Sequence, residues 1–164
     1  ALPIFSSGST LSTPAVIYFM LIYLFSNLAA FGVVGLISLA TGRETIAEYA
    51  GLYQHNKWLS WVLVIALFSL AGVPPTAGFF GKLFLILAGA IKGSVGFIIL
   101  VVFNMVIALY YYLRIVRTIF AEVPEGGMKK IAVAIPTKWG LWICVLGILI
   151  TGFVGRIYEY LQSL

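Results

Sequence analysis

The chain has 164 residues, 62% hydrophobic and 9% charged, with a formal net charge of +5 and a mean hydropathy of +1.11. A soluble domain carries about a quarter charged residues, so this composition excludes an ordinary soluble enzyme and defines an all-α integral membrane protein of several spans. The basic excess is not a nucleic-acid footprint, because the basic residues stand in short loops at the ends of apolar runs, where they set topology.

Residues 1–12 are Ser/Thr/Gly-rich and uncharged, an exposed lead-in. The chain opens Ala1-Leu2-Pro3 without methionine, and no signal-peptide pattern precedes the first span, which leaves a fragment, a processed product and a piece of a split gene all open. Thr13 caps and Pro14 opens a first span over about residues 14–40. Its only strongly polar pair is Ser26-Asn27. Small residues there suit close helix packing, and Asn27 either bonds a neighbouring helix or simply serves that packing. In the polar stretch 41–56, Thr41/Glu44 and Thr45/Glu48 both have the spacing of capping boxes. Ile46, Tyr49, Ala50 and Tyr53 share a face, which predicts a short helix lying at the interface.

The second apolar run, residues 58–91, is too long for one straight helix: it would rise roughly 50 Å against a hydrocarbon core of about 30 Å. Pro74 and Pro75 supply a break, since neither has an N–H for the carbonyls of Leu70 and Ala71. Irregular backbone at membrane depth survives only where it is buried in protein or lines a wet cavity. Lys82 lies roughly 14 Å of helix from the apolar end at Ile91, near the bilayer middle. An ammonium there costs at least about 2.5–3.5 kcal/mol. It either snorkels to the headgroups or stays buried, where a lysine is a candidate proton carrier. The freed carbonyls of Leu70 and Ala71, the Thr76 hydroxyl and Ser69 are candidates to order water, and Gly78 and Gly81 let water or another helix approach closely.

The basic residues decide how often this run crosses. If it crosses once, Arg43, Lys57, Arg114, Arg117, Lys129, Lys130 and Lys138 oppose Lys92 and Arg156, seven against two; if it crosses twice, the count is four against five. Only the first is a bias of the positive-inside kind, so one broken span is expected, with the basic loops on the cytoplasmic or matrix side. A third span follows Ser94, a candidate cap, and covers about 95–120, with Asn104 mid-span and Tyr110-Tyr111-Tyr112 as an aromatic belt. Thr137 caps a fourth span over about 139–160. No soluble-enzyme constellation appears. Cys144 and His55 are each single, so no metal site is expected. All five acids lie in loops or at span ends, which leaves Lys82 without an acidic partner in its own layer.

The run Ser69-Leu-Ala-Gly-Val-Pro-Pro-Thr-Ala-Gly-Phe-Phe-Gly-Lys82 resembles the broken-helix motif of the antiporter-like membrane subunits of respiratory complex I, relatives of multi-subunit sodium/proton antiporters and membrane-bound hydrogenases. Asn27-Leu-Ala-Ala-Phe-Gly-Val-Val34, Tyr49-Ala-Gly-Leu52 and Tyr110-Tyr-Tyr-Leu-Arg114 look most like subunit N, called NADH dehydrogenase subunit 2 in mitochondria. The resemblance covers essentially the whole chain but only the C-terminal third or so of a bacterial member. It implies a proton-translocating half-channel of a redox-driven NADH:quinone oxidoreductase, with Lys82 matching the lysine of the family's discontinuous helix. It further implies that NADH, FMN, iron–sulfur clusters and quinone sit on other subunits, with no cofactor on this chain. The implied partners are other complex I membrane subunits, among them the N-terminal half-channel if that is a separate chain, and the lipid bilayer. The implied location is an energy-transducing membrane, bacterial plasma membrane or mitochondrial inner membrane. A subunit of a cation/proton antiporter and a structural split-gene remnant stay open as alternatives.

Overall fold

In lipid, a backbone with no water to bond must satisfy itself, and long apolar runs therefore become helices. The computed structural model describes residues 12–74, 76–90, 95–122 and 130–162, and every regular element among them is helical. Pro75, Lys92, Ser94 and Lys129 lie outside the described residues. Helix α1 (Ser12–Thr41) is followed by a 3-10 turn (Ile46–Tyr49), α2 (Leu52–His55), α3 (Lys57–Ala71), α4 (Ala77–Ala90), α5 (Val95–Ile119) and α6 (Ile135–Gln162). Among the described residues three stretches are long and apolar enough to cross a membrane, Ile17–Thr41, Ile98–Ile119 and Ile135–Gly152, and α3 is a shorter apolar helix.

Without a hydrophobic drive between helices in lipid, association depends on close packing and interhelical hydrogen bonds. Ala29, Ala30, Val33 and Ile37 of α1 join Leu59, Val62, Leu63 and Ala66 of α3 in one buried cluster, which Leu141, Val145 and Ile148 of α6 complete. Helix α1 runs antiparallel to α6: the Tyr18 hydroxyl donates to the Thr151 carbonyl, Phe25 lies against Gly147, and Leu141 lies against Gly32. The same helix meets both α3 and α4, in order along its length. Ser26 reaches Ser69 near the end of α3, and Phe19 and Ile22, closer to the start of α1, lie against Gly81 of α4. In contrast, α5 buries nothing of its most apolar stretch within the chain, and Ile99, Leu100, Phe103 and Val106 stand exposed. A face of that composition belongs against lipid or another protein.

Three local expectations are corrected. The predicted interfacial helix is instead two single turns, because Gly51 adopts φ 75° between the 3-10 turn and α2. Only the second capping box forms. Glu48 accepts from the Thr45 amide at 2.8 Å, but the Thr41 hydroxyl turns back to the Ile37 carbonyl at 2.7 Å, and Glu44 accepts from Ser38 at 3.1 Å. Finally, Thr137 does not cap α6. The helix begins at Ile135 with Pro136 in its first turn, where a missing N–H has no intrahelical partner to lose.

At the end of the bundle that carries the basic residues, α2, α3, the end of α5 and the segment before α6 meet through one set of contacts. The Asn56 side chain accepts from the Ile131 amide at 2.8 Å, which ties the segment before α6 to the start of α3. Tyr53 and Phe120 have ring centroids 4.9 Å apart, and Trp61 packs edge-on to Phe120 at 6.1 Å.

Candidate functional site at the broken helix

Helix α3 stops at a glycine. Gly72 sits at φ 81°, ψ 42°, the left-handed conformation that costs other residues about 1–2 kcal/mol. Its amide donates to the carbonyls of Phe68 at 2.9 Å and Ser69 at 3.2 Å, and the Val73 amide returns to Phe68 at 3.1 Å. This is the double closure of a Schellman motif. The helix therefore ends two residues before Pro74, whose ring in turn disfavours a helical conformation at Val73. Thr76 closes the other side. Its amide donates to the Val73 carbonyl at 2.9 Å, its hydroxyl does so at 2.7 Å, and α4 then starts at Ala77.

Gly78 explains how the two half-helices sit so close. A Cβ built there would lie 1.7 Å from the Ser69 carbonyl oxygen, so the first turn of α4 rests directly on the backbone of the last turn of α3. Gly81, one turn further, faces α1 through Phe19 and Ile22. The Ser69 hydroxyl is buried, 2.7 Å from that of Ser26, and Ser26 in turn donates to the Ile22 carbonyl at 2.8 Å. Asn27 does not reach a neighbouring helix through its amide nitrogen, which donates at 2.7 Å to the Tyr23 carbonyl of its own helix.

Lys82 closes the site. A side chain in a helix leans toward that helix's N-terminus, and from the second turn of α4 this direction carries Lys82 back over Gly72, whose Cβ would meet its Cδ at 3.0 Å. The ammonium donates to the Leu70 carbonyl at 2.8 Å and to the Ala71 carbonyl at 2.9 Å. These are the two carbonyls that the sequence leaves open for water, and the lysine itself takes them. An ammonium has three donors, so one is left without a partner among the described residues. The geometry combines direct hydrogen bonds with the negative end of the α3 dipole. The start of α4 contributes the opposite partial charge close by. The cation is thus held by short bonds and by the α3 end and opposed by the α4 start, an arrangement sensitive to small movements of either half.

Sequence reasoning named Lys82, Ser69, Thr76, Gly78 and Gly81, and the structure brings all of them to one break between α3 and α4. It missed Gly72 as the stop. A glycine followed within two residues by proline is the signal that marks such an end. Asn56 was missed as well, and nothing local announces a partner 75 residues away. Among the described residues no group of three or more His, Cys, Asp or Glu side chains is placed to hold a metal ion.

A bundle of apolar helices, one of them interrupted around a lysine bonded to a helix end, defines an all-helical membrane protein with a broken span. Residues 2–108 match the family described as NADH:quinone oxidoreductase/Mrp antiporter, TM. The chain belongs to this family. It is 39% identical over 160 residues to NADH-quinone oxidoreductase subunit N of Azobacteroides pseudotrichonymphae, covering 96% of this chain and 33% of that protein. It is 37% identical over 160 residues to NAD(P)H-quinone oxidoreductase subunit 2 of Synechococcus elongatus, covering 92% of this chain and 31% of the relative. Its fold matches a chain of respiratory complex I from Thermus thermophilus, solved with bound aureothin, with a TM-score of 0.71 and 26% identity over 88% of this chain and 32% of that one. The chain thus spans about a third of the length of the relatives it matches.

Proposed function

We propose that this chain supplies one half of a proton path through the membrane arm of a redox-driven NADH:quinone oxidoreductase, with Lys82 as the proton carrier. The observation that carries the reading is the pair of bonds from the Lys82 ammonium to Leu70 and Ala71 at the end of α3. They give a charged lysine a seat inside an apolar bundle, and a shift of α3 against α4 removes it. Loading the proton then goes with the seated geometry, and release goes with its loss.

In this reading α3 and α4 together make one crossing, the second of four. The support is their order along α1, with α3 against Ser26 and α4 against Phe19 and Ile22. The basic ends of the bundle, with Arg43, Lys57, Arg114, Arg117, Lys130 and Lys138, then face the cytoplasm or matrix by the positive-inside rule. The other half of the path comes from a further antiporter-like segment, and the redox groups lie elsewhere in the assembly.

The test is Lys82→Ala in the assembled membrane complex, reading NADH oxidation and proton uptake into vesicles separately. The variant is expected to assemble and to pump poorly. Undiminished pumping ends the proposal. The family also includes Mrp antiporters, so the same preparation is assayed for sodium- or potassium-driven proton exchange without NADH. Exchange of that kind, in a preparation lacking flavin and iron–sulfur proteins, assigns the chain to an antiporter instead.

A further inference from the structure

At the basic end of the bundle, away from Lys82, the starts of α3 and α6 enclose an open cavity of about 1010 Å³. Lys57, Lys130, Lys138 and His55 line it together with Trp58 and Trp142, and no acidic side chain is among its described lining residues. The two indole rings lie 6.4 Å apart and tilted by 48°, one from each helix, so they form one apolar wall. The Lys57 ammonium lies 5.9 Å from the Tyr53 ring centroid, while Lys130 and Lys138 are exposed. The Asn56–Ile131 bond fixes the segment bearing Lys130 against the start of α3, which makes the cavity a built feature of the fold.

Its depth follows from the helices that frame it. α3 turns apolar directly after Lys57, and the apolar stretch of α6 begins at Ile135, so the cavity lies where hydrocarbon gives way to water. Tryptophan is the residue of that level, and lysines there attract anionic headgroups, by about 1 kcal/mol each. We propose that this cavity is a binding site for the phosphate headgroup of an anionic phospholipid, with Lys130 and Lys138 on the phosphate and Trp58 and Trp142 against the glycerol and upper acyl region. The inference uses the membrane fold alone and stands whether or not Lys82 carries protons. It favours a lipid over an acidic protein segment because an apolar indole wall is continuous with a cationic rim, matching an amphiphile rather than a polar peptide.

The test uses the assembled complex in nanodiscs doped with photoactivatable phosphatidylglycerol or photoactivatable phosphatidylcholine, and maps cross-links to this chain by mass spectrometry. Cross-links around residues 54–59 and 130–142 are expected to favour phosphatidylglycerol. Lys130→Gln with Lys138→Gln should lower that preference by about fivefold per lysine, while Arg114→Gln with Arg117→Gln leaves it unchanged. Where the double lysine variant fails to assemble, Lys138→Gln alone gives the same reading. Equal labelling by the two lipids overturns the proposal, as does a preference that the lysine substitutions leave intact. Suppression of the labelling by excess inorganic phosphate overturns it in favour of a free-anion site, and cross-links replaced there by a protein neighbour overturn it in favour of an acidic partner.

Discussion

The Lys82 ammonium donates to the carbonyl of Ala71, eleven residues earlier in the chain, at 2.9 Å. The bond joins the two halves of a broken helix through the only cation in them that the structure describes inside the apolar bundle. A lysine seated this way is both a charge and a clasp. Removing the charge without removing the volume separates those roles. Lys82→Met is expected to keep the half-helices packed but leave the Leu70 and Ala71 carbonyls bare, at about 1.5–3 kcal/mol for the lost charge-assisted bonding. Lys82→Arg keeps a permanent charge that no small environmental change discharges. Both variants should lose proton pumping, by about tenfold or more, while only Lys82→Met lowers thermal stability of the assembled complex clearly. Calorimetry and vesicle proton uptake on the same preparations distinguish the two effects.

The glycines of the break make a graded series. Gly72→Ala forces an L side chain into φ 81° and presses on the Lys82 stem at 3.0 Å, a cost of about 1–2 kcal/mol from the backbone alone. Gly78→Ala meets the Ser69 carbonyl at 1.7 Å, backbone against backbone, and α4 cannot stay where it is. Gly35→Ala finds nothing within 4 Å and should be neutral or slightly stabilising, since alanine is the better helix former by about 0.5–1 kcal/mol. Assembly yield on native gels should therefore fall in the order Gly35→Ala, Gly72→Ala, Gly78→Ala. A Gly78→Ala complex as abundant as the parent would contradict the contact of α4 with the Ser69 carbonyl.

Much of this arrangement is legible in the residues, for physical reasons that differ from element to element. The long helices are legible because an apolar run in lipid has no other way to satisfy its backbone. The interruption is legible because Pro74 cannot continue a helix, yet its start is misread when the prolines are given the whole effect and Gly72 none. The partner of Lys82 is not legible. It depends on the fold-back of α4 over α3, which in turn depends on Gly78 allowing the approach, and a carbonyl waiting for water looks the same in sequence as one waiting for an ammonium. The start of α6 shifts because Pro136 is as acceptable in a first turn as Thr137 is at a cap. The Asn56–Ile131 bond crosses 75 residues, and the lysine–tryptophan cavity depends on it.

The hydroxyl pair of Ser26 and Ser69 is the interhelical bond that holds α1 to the last turn of α3, and both residues are fully buried. Such bonds in membranes average about 0.6 kcal/mol in double-mutant cycles. Ser26→Ala and Ser69→Ala should each destabilise modestly, with a coupling of about 0.6 kcal/mol between them. Because Ser69 lies beside the carbonyl on which Gly78 rests, the Ser69 variant is expected to disturb proton pumping more than the Ser26 variant does. Purely additive stabilities would show that the hydroxyls meet without holding the helices.

The 3-10 turn at the basic end carries a pH dependence in the acidic range. Glu48 accepts from the Thr45 hydroxyl at 2.7 Å, from the Thr45 amide at 2.8 Å and from the Glu44 amide at 3.1 Å. In that order these bonds hold its carboxyl below the ordinary 4.5. A carboxyl depressed in the folded turn stabilises it above the unfolded value, and the gain is lost as the pH falls through the folded value. The turn should therefore loosen on acidification from about pH 6 to about pH 3, while the buried clusters of α1, α3 and α6 hold. Hydrogen exchange at the Glu44 and Thr45 amides checks this, with protection expected to fall on acidification in the parent and to be low and nearly flat in Glu48→Gln. Tyr49, next in sequence, is buried with no hydrogen-bond partner for its hydroxyl among the described residues, and burial together with Glu44 and Glu48 pushes its phenol up. Its ionisation therefore does not contribute in the acidic range, and a parent turn whose exchange stays flat down to pH 3 would mean that the Glu48 bonds do not hold it.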